Sequence, residues 1–95
     1  FNIGNNNALT RDQVVAIFEV AKTAPKAIVV NTAVPRPWKE ANNALIEEVA
    51  ANYPNASVIR WDLISQGHPE FFAPDGVHLV PAGVRAYVSA IETQL

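Results

Sequence analysis

The segment that decides the fold is AIVVNT, residues 27–32. It is a short, mostly β-branched run with no polar residue before Asn31. Such an uninterrupted apolar run is typical of a strand that is covered on both faces, as in a parallel sheet. Pro35 and Pro37 follow closely and end the strand, because proline cannot donate to a strand ladder. Residues 27–32 therefore predict a buried parallel strand that leads into a polar, proline-rich loop.

Helical patterns flank this strand on both sides. Thr10 and Gln13 have the spacing of a capping box, so a helix is predicted to begin after Thr10 and to end before Pro25. Its apolar face is formed by Val14, Ile17, Phe18 and Ala21. A second helix is predicted from about Pro37, a favourable first helical residue, to about Ala51. Its apolar face is formed by Ala41, Leu45, Val49 and Tyr53.

The rest of the chain continues the alternation of strands and helices. Residues 1–4 have the pattern of a strand end, and residues 57–62 predict a further strand that ends at Asp62. Residues 63–72 predict a short helical turn and a loop, after which Pro81 opens the last helix. Its buried face is predicted at Val84, Tyr87, Val88, Ile91 and Leu95. This order predicts an α/β fold with a parallel sheet and helices on both faces.

Composition excludes several classes of function. The 95 residues make at most one small domain, and 49% hydrophobic with 17% charged residues indicate a folded core. Lys and Arg total seven and the net charge is −2, so no nucleic-acid partner is predicted. The longest apolar run, residues 27–30, is far shorter than the roughly 20 residues of a membrane span. Cysteine is absent, which excludes disulfides and thiolate metal sites, and no cofactor is predicted.

The motif DGVH, residues 75–78, is the clearest candidate for chemistry. It places Asp75 three residues before His78 in a loop that contains proline and glycine and leads into the last helix. A carboxylate so placed can accept the Nδ1 proton of the imidazole and leave Nε2 free to take a proton from a nucleophile. A metal is not predicted, because no further His or Cys cluster supplies ligands. Ligands in open parallel sheets bind beyond the carboxyl ends of the strands, where we expect residues 4–7, 31–38, 62 and 75–78.

These motifs resemble those of the SGNH (GDSL-like) hydrolase superfamily. DGVH at 75–78 matches its closing Asp-x-x-His block, and IGNN at 3–6 matches its Gly-x-Asn block. VNTAVPRPW at 30–38 and GHPEFFAPDGVHL at 67–79 are similar to the extracellular SGNH domains of bacterial acyltransferases, which include peptidoglycan O-acetyltransferases. The resemblance covers essentially the whole chain. It implies a flavodoxin-like, three-layer α/β/α fold, of which residues 1–95 would form the C-terminal portion.

The resemblance also implies roles for individual residues. His78 would be the general base, and Asp75 would orient its ring and stabilise the imidazolium. Asn6 would donate its side-chain N–H to the oxyanion. Arg36 and Trp38 could line the site and contact substrate. For these two residues, a proline-rich turn with a packed aromatic ring is an equally good interpretation.

The nucleophile is the missing part of this arrangement. The family's block with the catalytic serine is absent, and Ser57, Ser65 and Ser89 are the only serines. None of them has the sequence context of a nucleophile turn. Because the chain opens at Phe1 inside a strand pattern, we expect the serine upstream, on the remainder of the same domain. That remainder would be the partner of residues 1–95, with a possible fusion to a membrane acyltransferase region.

The activity implied by the resemblance is acyl transfer or ester hydrolysis on cell-surface carbohydrate, on the extracellular side of a bacterial membrane. A non-catalytic carbohydrate-binding or sensory domain with the same fold is the alternative. A flavodoxin-like binding module is disfavoured, because residues 4–10 lack a glycine-rich phosphate cradle. Asp62 is predicted to cap the turn that follows it. His68 is predicted to be a surface histidine, because no Asp stands at a matching offset.

Overall fold

A computed structural model describes residues 1–95 and contains two strands, four α-helices and a 3₁₀ turn. The helices are α1 (Arg11–Ala21), α2 (Lys39–Ala50), α3 (Trp61–Ile64) and α4 (Pro81–Glu92), the strands are β1 (Ala27–Val30) and β2 (Ala56–Ile59), and the 3₁₀ turn is Pro69–Phe71. The predicted alternation of strands and helices is therefore confirmed. None of the helices combines the length and the apolar character that crossing a bilayer requires.

The two strands form a small parallel sheet in which Ala27 pairs with Ala56 and Val30 with Ile59. Residues 1–3 lie along the other edge of β1, where Asn2 forms a parallel bridge to Val30. The Val30 N–H donates to the carbonyl of Phe1 at 2.6 Å, and the Ile3 N–H donates to the carbonyl of Val30 at 3.4 Å. The predicted first strand is thus present as a single bridge with an unpaired outer edge.

Helices pack on both faces of this sheet. Successive residues of β1 point to opposite faces, so Val29 and Val30 belong to different cores. The core on the side of α1 and α2 consists of Val14, Phe18, Val29, Ile46 and Val49. The core on the side of α4 is built on Val30, Ile59 and Trp61. There the Trp61 ring meets Tyr87 of α4 edge-on at 5.1 Å. The arrangement agrees with the continuous apolar pattern of β1, which predicts cover on both faces.

The helix starts follow local signals in two cases and depart from them in one. The capping box is present, with the Gln13 N–H donating to Thr10 Oγ1 at 3.2 Å and the Thr10 N–H donating to Gln13 Oε1 at 2.9 Å. Pro81 opens α4 as predicted. Helix α2 begins at Lys39, two residues after Pro37, because the Lys39 N–H donates to the Arg36 carbonyl and closes a turn first.

Strand β2 is shorter than predicted, because the chain leaves the sheet after Ile59. The Asn31 N–H donates to the Ile59 carbonyl at 3.1 Å, close to the end of the ladder. The Asp62 N–H then donates to the Asn31 side-chain oxygen at 3.0 Å and lies in the first turn of α3. The prediction of a strand that ends at Asp62 was therefore wrong.

The buried face of α4 was also partly mispredicted. Val84, Val88 and Leu95 are 46%, 45% and 82% exposed. The helix instead approaches the 3₁₀ turn through Gly83, where a Cβ would collide with the carbonyl oxygen of Phe71. This close approach sets the rotation of α4, so that two of the predicted residues, Tyr87 and Ile91, pack on the Trp61 core.

Helix α2 buries a face that apolar residues alone did not indicate. Ala41 is exposed, whereas Asn42 and Asn43 are 1% and 6% exposed. Both asparagines lie in the first turns of the helix, near the carboxyl ends of the strands. Their side chains bond to the loops there, which places α2 directly behind the candidate site.

Candidate catalytic site

The loop that carries DGVH is a tight turn just before α4. Phe72 and Leu79 form an antiparallel bridge, and the Ala73 N–H donates to the His78 carbonyl at 2.8 Å. Gly76 has a φ of +72°, a conformation that favours glycine. A Cβ at Gly76 would lie 3.2 Å from Cγ of Pro35, so the proline-rich segment packs directly against this loop.

Asp75 and His78 form a pair within this loop. One carboxylate oxygen of Asp75 accepts the backbone N–H groups of Val77 at 2.8 Å and His78 at 3.0 Å. The other oxygen bonds to Nδ1 of the His78 ring. This arrangement holds the ring through Nδ1 and leaves Nε2 unbonded, as a general base requires. The side chain of His78 is 81% exposed, so the ring is accessible.

The same contacts determine the ionisation of Asp75. The hydrogen bond with His78, followed by the backbone N–H groups of Val77 and His78, lowers the pKa of Asp75 from 3.8 to about 2. Hydrogen bonds to the charged form of an acid favour that form. Asp75 is therefore a carboxylate throughout the neutral range and can hold an imidazolium.

We expect the Asp75 carboxyl carbon to titrate with a midpoint of about 2 in an NMR titration of the protein. Because the folded-state pKa is lowered, Asp75 stabilises the fold above its unfolded-state pKa of about 3.9. This stabilisation is lost as the pH falls towards the folded-state value. In the His78→Ala control the midpoint should rise, because the largest cause of the shift is removed. A wild-type midpoint near 3.8 would contradict the pairing.

The loop of residues 4–9 lies opposite, after the first bridge. Gly4 has a φ of +96°, and a Cβ there would lie 3.3 Å from Cγ2 of Thr32. The Asn42 side chain bonds to main-chain groups of Gly4, Asn7 and Leu9. The turn is thus held against the end of β1 and the start of α2.

The three consecutive asparagines have different environments. Asn5 is engaged, because its side chain accepts the Thr32 hydroxyl at 2.6 Å and donates to Asn2 Oδ1 at 2.8 Å. Asn7 is held through its carbonyl, which accepts a hydrogen bond from Asn42 at 2.9 Å. Asn6 is exposed, and its side chain makes no hydrogen bond within the protein. The amides of Asn6 and Asn7 are therefore both free, and Asn6 is the one that lies between the held carbonyls of Gly4 and Asn7.

Asn6 and His78 line one open groove, whose other wall residues include Asn5, Asn7, Val77 and Leu79. The structure thus brings together the two loops that the sequence placed at the carboxyl edge of the sheet. A free amide donor and a carboxylate-bound imidazole on one groove can serve acyl transfer, with the imidazole moving a proton and the amide meeting developing negative charge.

Arg36 and Trp38 do not line this groove. Arg36 is exposed, and its guanidinium donates to the carbonyl of Pro35 at 3.2 Å. Trp38 is half-buried, and its Nε1–H donates to the carbonyl of Asn5 at 3.4 Å. Trp38 therefore supports the asparagine turn from behind. Contact of either residue with substrate stays a prediction.

Two further predicted positions have structural partners. One oxygen of Asp62 accepts the Leu63 N–H at 2.9 Å and the Asn31 side-chain N–H at 2.8 Å. The predicted capping role is not observed, because Asp62 lies within the first turn of α3, whose N-cap is Arg60 and has no side-chain cap hydrogen bond. His68 is exposed as predicted, but it does have a carboxylate partner. Its Nδ1 lies 2.8 Å from Glu70 Oε2, and the hydrogen bond with His68 lowers the pKa of Glu70. This partner is a glutamate two residues after the histidine.

No serine lines the groove of Asn6 and His78. The Ser65 hydroxyl donates to the Trp61 carbonyl at 2.7 Å and is buried. The Ser57 hydroxyl is buried in β2 without a hydrogen-bond partner, and Ser89 lies on α4. Residues 1–95 therefore bring a carboxylate-bound imidazole and a free side-chain amide together without a serine beside them.

Sequence reasoning missed the buried asparagines of α2. A helical period counted from Leu45 predicts Ala41 on the buried face, whereas one counted from Ile46 points to Asn42. Asn43 adds a second clamp, since its side chain accepts the Thr32 N–H at 2.9 Å and donates to the Thr32 carbonyl at 2.8 Å. The sequence signal for this burial is a pair of adjacent polar residues in an amphipathic helix, close to the strand ends.

The chain is similar in sequence to known O-acetyltransferases. No protein-family model matches the chain. The chain is similar to a peptidoglycan O-acetyltransferase, OatA, of Listeria monocytogenes, with 40% identity over 89 residues, which is 94% of this chain and 14% of that protein. It is also similar to the O-acetyltransferase OatA of Staphylococcus aureus, with 38% identity over 91 residues, which is 94% of this chain and 15% of that protein. The chain thus spans about one seventh of the length of these relatives.

Proposed function

We propose that residues 1–95 supply the base, its orienting acid and an oxyanion donor to an O-acetyltransferase or acetylesterase of the SGNH type. The observation that carries the proposal is that the free Asn6 amide and the Asp75-bound His78 ring line the same groove. The names of the similar proteins support acyl transfer on peptidoglycan. A serine, His78 and Asp75 would then act together as a triad.

In the proposed reaction, Nε2 of His78 takes the proton of the serine hydroxyl as the oxygen attacks an acyl carbonyl. Asp75 holds the ring through Nδ1 and stabilises the imidazolium. Asn6 donates a hydrogen bond to the oxyanion of the tetrahedral intermediate. His78 returns the proton to the leaving group, and a sugar hydroxyl or water then releases the acyl group by the same steps in reverse order.

The nucleophilic serine in this proposal comes from another part of the same domain. Residues 1–3 pair with β1 on one side only, so their outer edge is open to a further parallel strand. The carboxyl end of such a strand would lie beside the groove of Asn6 and His78, because parallel strands end at a common edge. The complete domain would then be a three-layer α/β/α fold, with residues 1–95 as its C-terminal portion.

The exposed apolar residues of α4 fit the same proposal. Val84 and Val88 are four residues apart, lie on one side of the helix and are about half exposed. Apolar side chains in such a row favour a covered position. The remainder of the domain is the proposed cover.

Three further points complete the proposal. The domain is fused to a membrane acyltransferase region, it lies outside the membrane, and its substrate is cell-wall carbohydrate.

The alternative is a domain that binds carbohydrate without catalysis. Its supporting observation is the absence of a serine from the groove. Turnover of an activated acetyl ester by the full-length protein separates the two, since a binding domain gives none.

Replacing Asn6 by alanine in the full-length protein is expected to lower kcat for an activated acetyl ester by about 10²–10³-fold, the typical effect of removing one oxyanion donor. Asn7→Ala is the matched control, because the Asn7 side chain is also exposed, makes no hydrogen bond and lines the same groove at the next position. The control should stay within about threefold of wild type, since oxyanion stabilisation depends on donor position. Equal activities of the two variants would contradict the role of Asn6.

A further inference from the structure

We propose that Asn42 is the positioning residue of the oxyanion donor, a role that rests on the proposed function. Asn42 does not line the groove of Asn6 and His78. It acts from within helix α2, where it holds the main chain on both sides of Asn6. The inference concerns where the Asn6 amide points, and therefore the rate of the chemical step.

The contacts of Asn42 use both polar atoms of its side chain. Nδ2 donates to the carbonyl of Gly4 at 3.1 Å and to the carbonyl of Asn7 at 2.9 Å. Oδ1 accepts the N–H of Leu9 at 2.9 Å. These partners leave one possible orientation of the amide, because a carbonyl can only accept and an N–H can only donate.

Burial makes these hydrogen bonds strong determinants of the loop. Asn42 is 1% exposed, so water does not compete for its partners. A buried polar group that loses its partner costs about 1–3 kcal/mol, which favours the bonded arrangement. The position of helix α2 therefore determines the position of the turn of residues 4–9.

Asn6 lies between the two carbonyls that Asn42 holds. Its side chain is exposed and has no hydrogen bond of its own, so the local main chain sets the position from which the amide projects. The Gly4 conformation, with a φ of +96°, and the hydroxyl bond from Thr32 to Asn5 fix the preceding residues of the turn. Loss of the Asn42 clamp frees the residues on both sides of Asn6, and a displacement of about 1 Å in a catalytic group can cost about 10²-fold in rate.

The test is Asn42→Asp in the full-length protein, assayed with an activated acetyl ester. Aspartate has the size of asparagine and keeps an acceptor for the Leu9 N–H, but it loses the donor to both carbonyls. We expect kcat to fall by about 10–100-fold, with KM within about threefold of wild type, because geometry in the chemical step is what changes. Thermal unfolding checks that the variant is folded. If it is not, Asn42→Ser, which is uncharged and too short to reach both carbonyls, replaces it.

Asn55→Asp is the matched control. Nδ2 of Asn55 also donates to two carbonyls, those of Ala21 at 3.1 Å and Ala24 at 2.9 Å. Asn55 precedes β2 and so lies at the opposite end of the sheet from the groove. Its replacement removes the same pair of bonds and is expected to leave kcat within about threefold of wild type, since independent distant sites do not couple.

A double variant separates positioning from general loss of stability. Because Asn42 acts through Asn6, adding Asn42→Asp to Asn6→Ala is expected to lower kcat no further than about twofold. Full additivity of the two losses would overturn the inference, as would equal kcat values for Asn42→Asp and Asn55→Asp. If the wild-type protein gives no turnover, the proposed function is overturned, and this inference with it. That outcome is distinct from the two above, because in both of them the wild type is active.

Discussion

Replacing His78 by alanine in the full-length protein is expected to reduce acyl transfer by about 10⁴-fold or more while the fold is retained. The ring is the proposed proton acceptor, and nothing else in the groove of Asn6 and His78 is placed to replace it. The side chain of His78 is 81% exposed, so its removal leaves no cavity. Release of acetate from an activated ester measures the activity, and thermal unfolding measures the fold.

His68→Ala is the matched control for this prediction. His68 is also an exposed imidazole bonded to a carboxylate, with 2.8 Å between Nδ1 and Glu70 Oε2. It stacks on Phe71 and lies outside the groove. His68→Ala should therefore keep wild-type activity. Retention of more than about one tenth of the activity in His78→Ala would remove His78 from the mechanism, since a missing general base costs far more.

Asp75→Asn is expected to lower kcat by about 10⁴-fold, the scale seen when the acid of a triad is replaced by its amide. The new side chain can still accept the N–H groups of Val77 and His78, so the loop should keep its shape. It can also donate to Nδ1, which stabilises the wrong tautomer of the ring and leaves no negative charge to hold an imidazolium. The measurement is kcat for the activated acetyl ester across the neutral pH range.

Glu70→Gln is the control for Asp75→Asn, because it removes the carboxylate from the second His–carboxylate pair of the chain. Its activity should equal that of wild type. A loss of less than about tenfold in Asp75→Asn, or similar losses in both variants, would show that Asp75 does not orient a catalytic base.

Local signals predicted most of the secondary structure and the meeting of the two loops that form the candidate site. The capping box of Thr10 and Gln13 fixes the start of α1 by contacts within three residues, so the sequence shows it directly. The apolar run of β1 similarly predicts cover on both faces. Because the loops that follow parallel strands meet at the carboxyl edge of the sheet, the sequence alone predicts that Asn6 and His78 lie on neighbouring loops.

Features set by distant contacts could not be predicted in this way. The rotation of α4 depends on the approach of Gly83 to the backbone of Phe71, a contact between two elements. The buried face of α2 depends on the main-chain groups that Asn42 finds in the loop of residues 4–9. In both cases the sequence shows the helical period, but the tertiary partner decides which face of the helix is buried.

The most direct test of the central claim is labelling of the full-length protein with a serine-directed fluorophosphonate, followed by mass spectrometry of its peptides. The claim predicts that one serine outside residues 1–95 carries the label in the wild type and that His78→Ala loses it, because the base activates that hydroxyl. A wild-type protein that turns over acetyl esters without becoming labelled, or that is labelled on Ser57, Ser65 or Ser89, would contradict it.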